Sequence, residues 1–241
     1  MSTHNLRIWS LVDKTAPSAT KRAKVGGQDI TSLNGTAMIM KATEVFGPVG
    51  IGFGWEVIEE RFDKGPDILG GEGGAVVIGK DQQHTVRIRF WFKQGDERGE
   101  FESYGCTPFS YKSKYGVTTD GEAPKKSLTD AIKKALSMLG FSADVFLGLF
   151  DDAEYVDKRK DEERLESAED KQAEEERQKQ ERLDYIQSVL HTMAGAQSAN
   201  ELKQLHDAAV RKLSTRNDDK GVKRIARELA ALSPKFAEAQ P

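Results

Sequence analysis

The feature that most limits how this chain can fold is a charged stretch in its second half. Residues 157–182 read DKRKDEERLESAEDKQAEEERQKQER, and Leu165 is the only large apolar side chain among them. A segment of this composition cannot bury enough apolar surface to fold alone, although its residues are good helix formers. We therefore predict three parts: a core domain at 1–156, a charged helical or mobile linker at 157–182, and a small helical module at 183–241.

The part before this stretch has the pattern of an α+β domain. Runs of β-branched and aromatic residues predict a strand at 54–62, a strand–turn–strand unit at 74–92 and a strand at 99–107. A short helix is predicted at 39–46, and a long one runs from Pro124 to its stop at Gly140. Because the sheet comes first and the long helix last, we predict an antiparallel sheet packed with that helix.

After residue 182 the apolar periodicity of helices returns. Three amphipathic helices are predicted in the C-terminal module, and Ser198 with Glu201 has the spacing of a capping box. A module of this size is near the lower limit for independent folding.

Two neighbouring lysines lie in the middle of the long helix. Lys133 and Lys134 fall opposite an apolar stripe formed by Leu128, Ile132, Ala135 and Leu139. One interpretation is a solvated face, as most charged helix faces are. The other is a rail of cations that neutralises phosphates without reading bases.

A strand in the predicted sheet carries a second group of cations. The alternating run at 83–93 directs apolar side chains to one face, and to the other it directs Arg87, Arg89, Trp91 and Lys93. Cations beside an aromatic ring suit the phosphates and bases of single-stranded nucleic acid. The alternative is a solvated face on which another element covers Trp91.

Two further basic groups occur near turns. Arg22 and Lys24 precede two glycines in KRAKVGGQ, and glycines let backbone N–H groups approach a phosphate closely. Lys112 and Lys114 alternate with tyrosines in YKSKYG. Each group alone is also compatible with incidental surface charge.

No convincing set of catalytic residues is found. The four histidines lack metal-ligand spacing, and Cys106, without a histidine partner, is predicted to be a small buried residue. We predict no catalytic residue, no metal and no cofactor. The enzyme alternative is a metal-dependent nuclease using Asp144, Asp151, Asp152 and Glu154. The absence of a long apolar run predicts a cytoplasmic protein without a membrane partner.

Ordered motifs resemble those of a known family. The segment KKSLTDAIKKALSMLGFSADVFLGLFDDAEYV resembles the closing helix of the Rad fifty-two single-strand annealing proteins, through Thr129-Asp130, Lys133-Lys134, Ala135-Leu136 and Leu139-Gly140-Phe141. Upstream, the resemblance rests on Gly26-Gly27-Gln28, Gly35, Glu44-Val45-Phe46-Gly47, Trp55, Tyr104-Gly105 and the run from Lys112 to Lys114. It covers roughly residues 21–155.

The resemblance implies an oligomeric ring that holds single-stranded DNA in a positively charged groove and anneals complementary strands without ATP. The family's DNA-contacting pair falls on Lys133 and Lys134, and its basic residue before the glycine element falls on Arg22. Eukaryotic members have Lys-Arg where this chain has Lys-Lys, which keeps the charge but loses the bidentate fork. The short charged segment and helical module are more similar to a bacteriophage or bacterial recombinase, which would act in the host cytoplasm if phage-encoded.

The leading hypothesis is therefore a strand-annealing protein of homologous recombination or DNA repair. Its predicted DNA-binding residues are first Arg22, Lys24, Lys133 and Lys134, and second Lys112, Lys114, Arg87, Arg89 and Trp91. The C-terminal module is expected to recruit a host single-strand-binding protein or an exonuclease. The alternatives are the nuclease and an oligomeric scaffold with no nucleic-acid role.

Overall fold

The computed structural model describes residues 3–25, 27–74 and 76–237. The chain divides into two compact units, 1–147 and 148–241. The predicted α+β class is confirmed: a curled antiparallel four-stranded sheet packs with a helix, and a mostly helical region follows. Gly26, part of the glycine element named above, lies outside the described residues. Among the described residues no helix is long and apolar enough to cross a bilayer.

The first unit contains a hairpin, a sheet and two main helices. Its helices are α1 (Trp9–Val12), α2 (Gly35–Phe46), α3 (Ala123–Met138) and α4 (Ala143–Phe146). Its strands are β1 (Thr20–Val25), β2 (Gln28–Leu33), β3 (Phe53–Gly70), β4 (Val76–Gln94), β5 (Glu97–Ser113) and β6 (Gly116–Thr119). Short 3-10 turns lie at Thr3–Leu6, Pro17–Ala19 and Glu72–Gly74.

The strands form two separate antiparallel sheets. β1 pairs with β2, and the larger sheet has the order β3-β4-β5-β6. The turn predicted inside 74–92 is wrong, because β4 is one unbroken strand. Its middle residues stay extended because β3 pairs with them along its whole length, and the irregularity opposite Asp81 lies in β3, between Lys64 and Asp67.

Helix α3 packs against β4 and β5 through small side chains. Ser103 Oγ donates to Ala131 O at 2.9 Å. At Gly105 an added Cβ would lie 2.1 Å from Ser127 O, so only glycine admits the helix this close to β5. The buried face of α3 is therefore broader than the predicted stripe, and consists of Ala123, Ser127, Ala131, Ile132, Ala135 and Leu136.

The second unit is a set of helices with its own apolar core. They are α5 (Ala153–Ser167), α6 (Lys171–Ala194), α7 (Ala199–Thr215), α8 (Asp219–Leu232) and α9 (Pro234–Ala237), after a 3-10 turn at Leu149–Asp151. The segment predicted as a linker is helical except at 168–170, and its predicted start at residue 157 lies inside α5. Ser198 Oγ caps α7 by accepting from Glu201 N–H at 3.1 Å. The Glu201 carboxylate accepts from the N–H of Gln197 rather than from that of Ser198.

Candidate nucleic-acid interface

Helix α3 carries two lysine pairs, Lys125 with Lys126 and Lys133 with Lys134. The second pair lies on the outer side of the helix. Lys134 is exposed and Lys133 is half-buried. The stem of Lys133 lies beside α2: a Cβ built on Gly35 would be 3.7 Å from Lys133 Cδ and 2.8 Å from Thr129 Cγ2. Neither lysine forms an ion pair with a carboxylate of the described residues. Their two charges are therefore not directly paired; the acidic side chain nearest to them along this helical face is Asp130, which accepts from the N–H of Cys106 at 3.3 Å.

The first lysine pair of the same helix is neutralised. Lys125 Nζ lies 2.9 Å from Glu122 Oε2, and Lys126 Nζ lies 2.5 Å from Asp120 Oδ2. The bond from Lys126 is the main cause that lowers the pKa of Asp120, followed by the N–H of Glu122. The same bond is the main cause that raises the pKa of Lys126.

Arg22 and Lys24 lie on β1, one strand of the hairpin. Both are exposed, and Lys24 Nζ lies 3.7 Å from Asp29 Oδ1, so Lys24 is paired with a carboxylate. Arg22 has no ion pair among the described residues. The hairpin ends at Leu33, and Gly35, which adjoins Lys133, follows two residues later. The base of the hairpin, the start of α2 and Lys133 are therefore neighbours.

The outer face of the large sheet has paired charges, where the strand alone suggested free cations. Arg87 lies 3.2 Å from Glu59 and 3.1 Å from Glu102. Arg89 lies 4.0 Å from Glu56 and 3.6 Å from Glu102. These glutamates stand on the flanking strands β3 and β5, so a reading of β4 alone missed them.

The ring of Trp91, the aromatic residue of β4 on this face, lies against an arginine. The guanidinium of Arg98 lies 4.6 Å from the centre of the Trp91 ring. The ring lies across Gly54, where a Cβ would come within 2.9 Å of it. Trp91 is half-buried, with Arg98 over its ring.

Lys112 lies near the end of β5, far from the helix contact at Gly105, and Lys114 lies in the turn after that strand. Lys112 Nζ donates to Leu69 O at 2.7 Å, and Lys114 Nζ lies 4.8 Å from the Tyr115 ring centre. Lys112 is seven residues beyond Gly105, about 24 Å along an extended strand. The structure thus places the base of the hairpin next to the start of α2 and Lys133. Arg22 and Lys24 lie further along the hairpin, opposite Thr31 and Asp29, and the other predicted residues lie on β4, on β5 and in the turn after β5.

Three of the four acidic residues of the nuclease alternative have structural partners. Asp144 accepts from Thr15 N–H at 2.8 Å and from Thr15 Oγ1 at 2.5 Å. Asp152 caps α5 by accepting from Glu154 N–H at 2.9 Å and lies 3.1 Å from Arg211. Glu154 lies 3.7 Å from Arg216. Among the described residues no group of three His, Cys, Asp or Glu side chains is placed to hold a metal ion. Cys106, predicted to be buried, is exposed.

No known protein family, curated protein or solved structure matches this chain.

Proposed function

We propose that this protein binds single-stranded DNA through its sugar–phosphate backbone and anneals complementary strands without ATP, in homologous recombination or DNA repair. The observation that carries the proposal is the pair Lys133 and Lys134, which has no carboxylate partner among the described residues and lies next to the base of a hairpin that bears Arg22 and Lys24. Free cations on one surface attract phosphates, because binding releases the counterions of the nucleic acid.

Backbone contact alone suits annealing. Lysines neutralise phosphates as point charges and read no bases, so the bases of the bound strand stay available to a second strand. Base stacking on Trp91 is not part of the proposed mechanism, because Arg98 covers that ring. Arg87 and Arg89 are also left out, because a phosphate would have to compete for them with carboxylates such as those of Glu59 and Glu102.

Self-association into a ring completes the proposal. One subunit offers few phosphate contacts, and repetition around an assembly would multiply them on a single strand. The first unit exposes large apolar side chains that a partner subunit could cover, among them Met40, Ile51, Val77, Phe146 and Leu147.

An annealing assay tests the proposal. The wild-type protein should accelerate pairing of two complementary labelled strands, and Lys133→Ala with Lys134→Ala should remove most of this acceleration. Lys125→Ala with Lys126→Ala is the matched control, because it removes the same charge from the same helix, and it should anneal like wild type. Equal loss in both variants, or no acceleration by the wild type, would overturn the proposal.

The same assay with magnesium addresses the nuclease alternative. Strand pairing without cleavage is expected. Cleavage that depends on magnesium and disappears in Asp151→Asn would favour the nuclease, since Asp151 is the exposed member of the acidic set. Absence of any binding at low salt would favour the scaffold.

A further inference from the structure

Helix α8 in the second unit carries a continuous cationic stripe. Its members are Lys220, Lys223, Arg224 and Arg227, spaced i, i+3, i+4 and i+7, so they share one helical face. All four are exposed, whereas Gly221, Ile225 and Leu232 are buried on the opposite side of the helix. The stripe spans about 10 Å at the rise of an α-helix.

The cations of the stripe differ from other cations of the second unit in their ion pairing. None of its four cations pairs with a carboxylate of the described residues, whereas cations of α5 and α6 pair repeatedly. Lys160 pairs with Asp157 and Lys179 pairs with Glu176. Acidic residues outnumber basic ones in 148–241, so the positive charge of α8 stands out against a negative background.

We propose that the cationic stripe of α8 is a second nucleic-acid contact, which binds the phosphates of one strand. Its length equals about three of the 3.4 Å charge spacings that one duplex strand shows along the duplex axis. A protein partner is less well matched, because protein interfaces combine arginine with Trp or Tyr anchors, and α8 carries no aromatic residue. Among the described residues of this unit the exposed large apolar side chains are Leu149 and Leu183, neither of them on α8.

This contact goes beyond the annealing surface and does not depend on it. A protein with both surfaces would hold the strand at two separate sites joined by one chain. The expected host single-strand-binding protein or exonuclease becomes a competing occupant of α8, which the experiment must separate from nucleic acid.

The test compares two full-length variants that each lose two lysines from the second unit. Lys220→Ala with Lys223→Ala removes half of the stripe, and Lys160→Ala with Lys179→Ala removes cations that already have partners. Affinity for labelled oligodeoxythymidine and for a duplex is measured across a salt series. The stripe variant should lower the slope of log K against log salt by about 1.4 on the single strand, at about 0.7 per lost phosphate contact. The control should keep the wild-type slope.

Equal slopes for the stripe variant and the control on both nucleic acids would overturn the inference. It would also fail if the stripe variant lost binding only to a labelled polyglutamate peptide, which would indicate an acidic protein partner. The Lys133→Ala, Lys134→Ala variant is measured in parallel. If that variant binds like wild type while the stripe variant weakens, the α3 surface is refuted and the α8 contact stands.

Discussion

Helix α3 contains two Lys-Lys pairs that are identical in sequence and differ in surroundings. Lys125 and Lys126, in the first turn, are held by Glu122 and Asp120. Lys133 and Lys134, two turns later, have no such partner among the described residues and adjoin the start of α2. Charge along a sequence is therefore a poor guide to a binding surface, because what counts is which cations folding leaves uncompensated.

The large sheet extends the same comparison. A phosphate that approached Arg87 or Arg89 would meet Glu56, Glu59 and Glu102 as well. Surface ion pairs of this kind contribute little stability, but they cancel the local field that would attract DNA. Arg22, Lys133 and Lys134 have no such carboxylate partner among the described residues.

The largest effect is expected from disturbing the close packing on β5 of α3, the helix that carries both lysine pairs. Gly105→Ala should destabilise the first unit by about 3 kcal/mol, because its Cβ would collide with the backbone of Ser127 and Ala131. Gly121→Ala is the control, since a Cβ there meets nothing within 4 Å. Urea unfolding measures both, and equal stabilities would contradict the close packing of α3 on β5.

A smaller effect is expected from breaking the ion pairs of the sheet. Arg87→Ala with Arg89→Ala should lower the free energy of unfolding by roughly 1 kcal/mol, as cross-strand pairs of opposite charge do. Single-strand affinity should not fall. Lys93→Ala, on the same strand and without an ion pair among the described residues, should change neither quantity. Loss of DNA affinity in the arginine variant would move the binding surface to the sheet.

The smallest effect concerns the pH dependence of the neutralised pair. The pKa of Asp120 is lowered in the folded protein, mainly by Lys126, so this interaction stabilises fully above the ordinary carboxyl value of about 3.9. Its contribution is lost as the pH falls through the lowered pKa. In Lys126→Gln the pKa of Asp120, followed by carboxyl NMR, should move up towards the ordinary value. An unchanged pKa would contradict the pairing.

Local patterns predicted the parts of the fold that depend on one element. The alternation of apolar and polar residues in β4 identified Val86, Ile88 and Phe90 as core residues. The two-residue period of a strand can be recognised without knowing which strands lie beside it. The cap at Ser198 followed from spacing alone. The unbroken course of β4 was missed because it depends on pairing with β3.

The candidate site was less predictable for the same reason. Periodicity placed Lys133 and Lys134 on the outer side of α3. It did not show that Lys125 and Lys126 are compensated, since Asp120 lies outside the helix. The small-residue face of α3 depends on Gly105 of a different element. Pairing across elements, rather than local preference, decided which predicted cations remain free.

The salt dependence of single-strand affinity tests the central claim most directly. Two full-length variants are compared with wild type: Lys133→Ala with Lys134→Ala, and Lys125→Ala with Lys126→Ala. In the Lys133→Ala, Lys134→Ala variant, the slope of log K against log salt should fall by about 1.4 for each subunit that contacts the strand. In the Lys125→Ala, Lys126→Ala variant the slope should be unchanged. Equal slopes in the two variants, whether both lowered or both unchanged, would contradict the central claim.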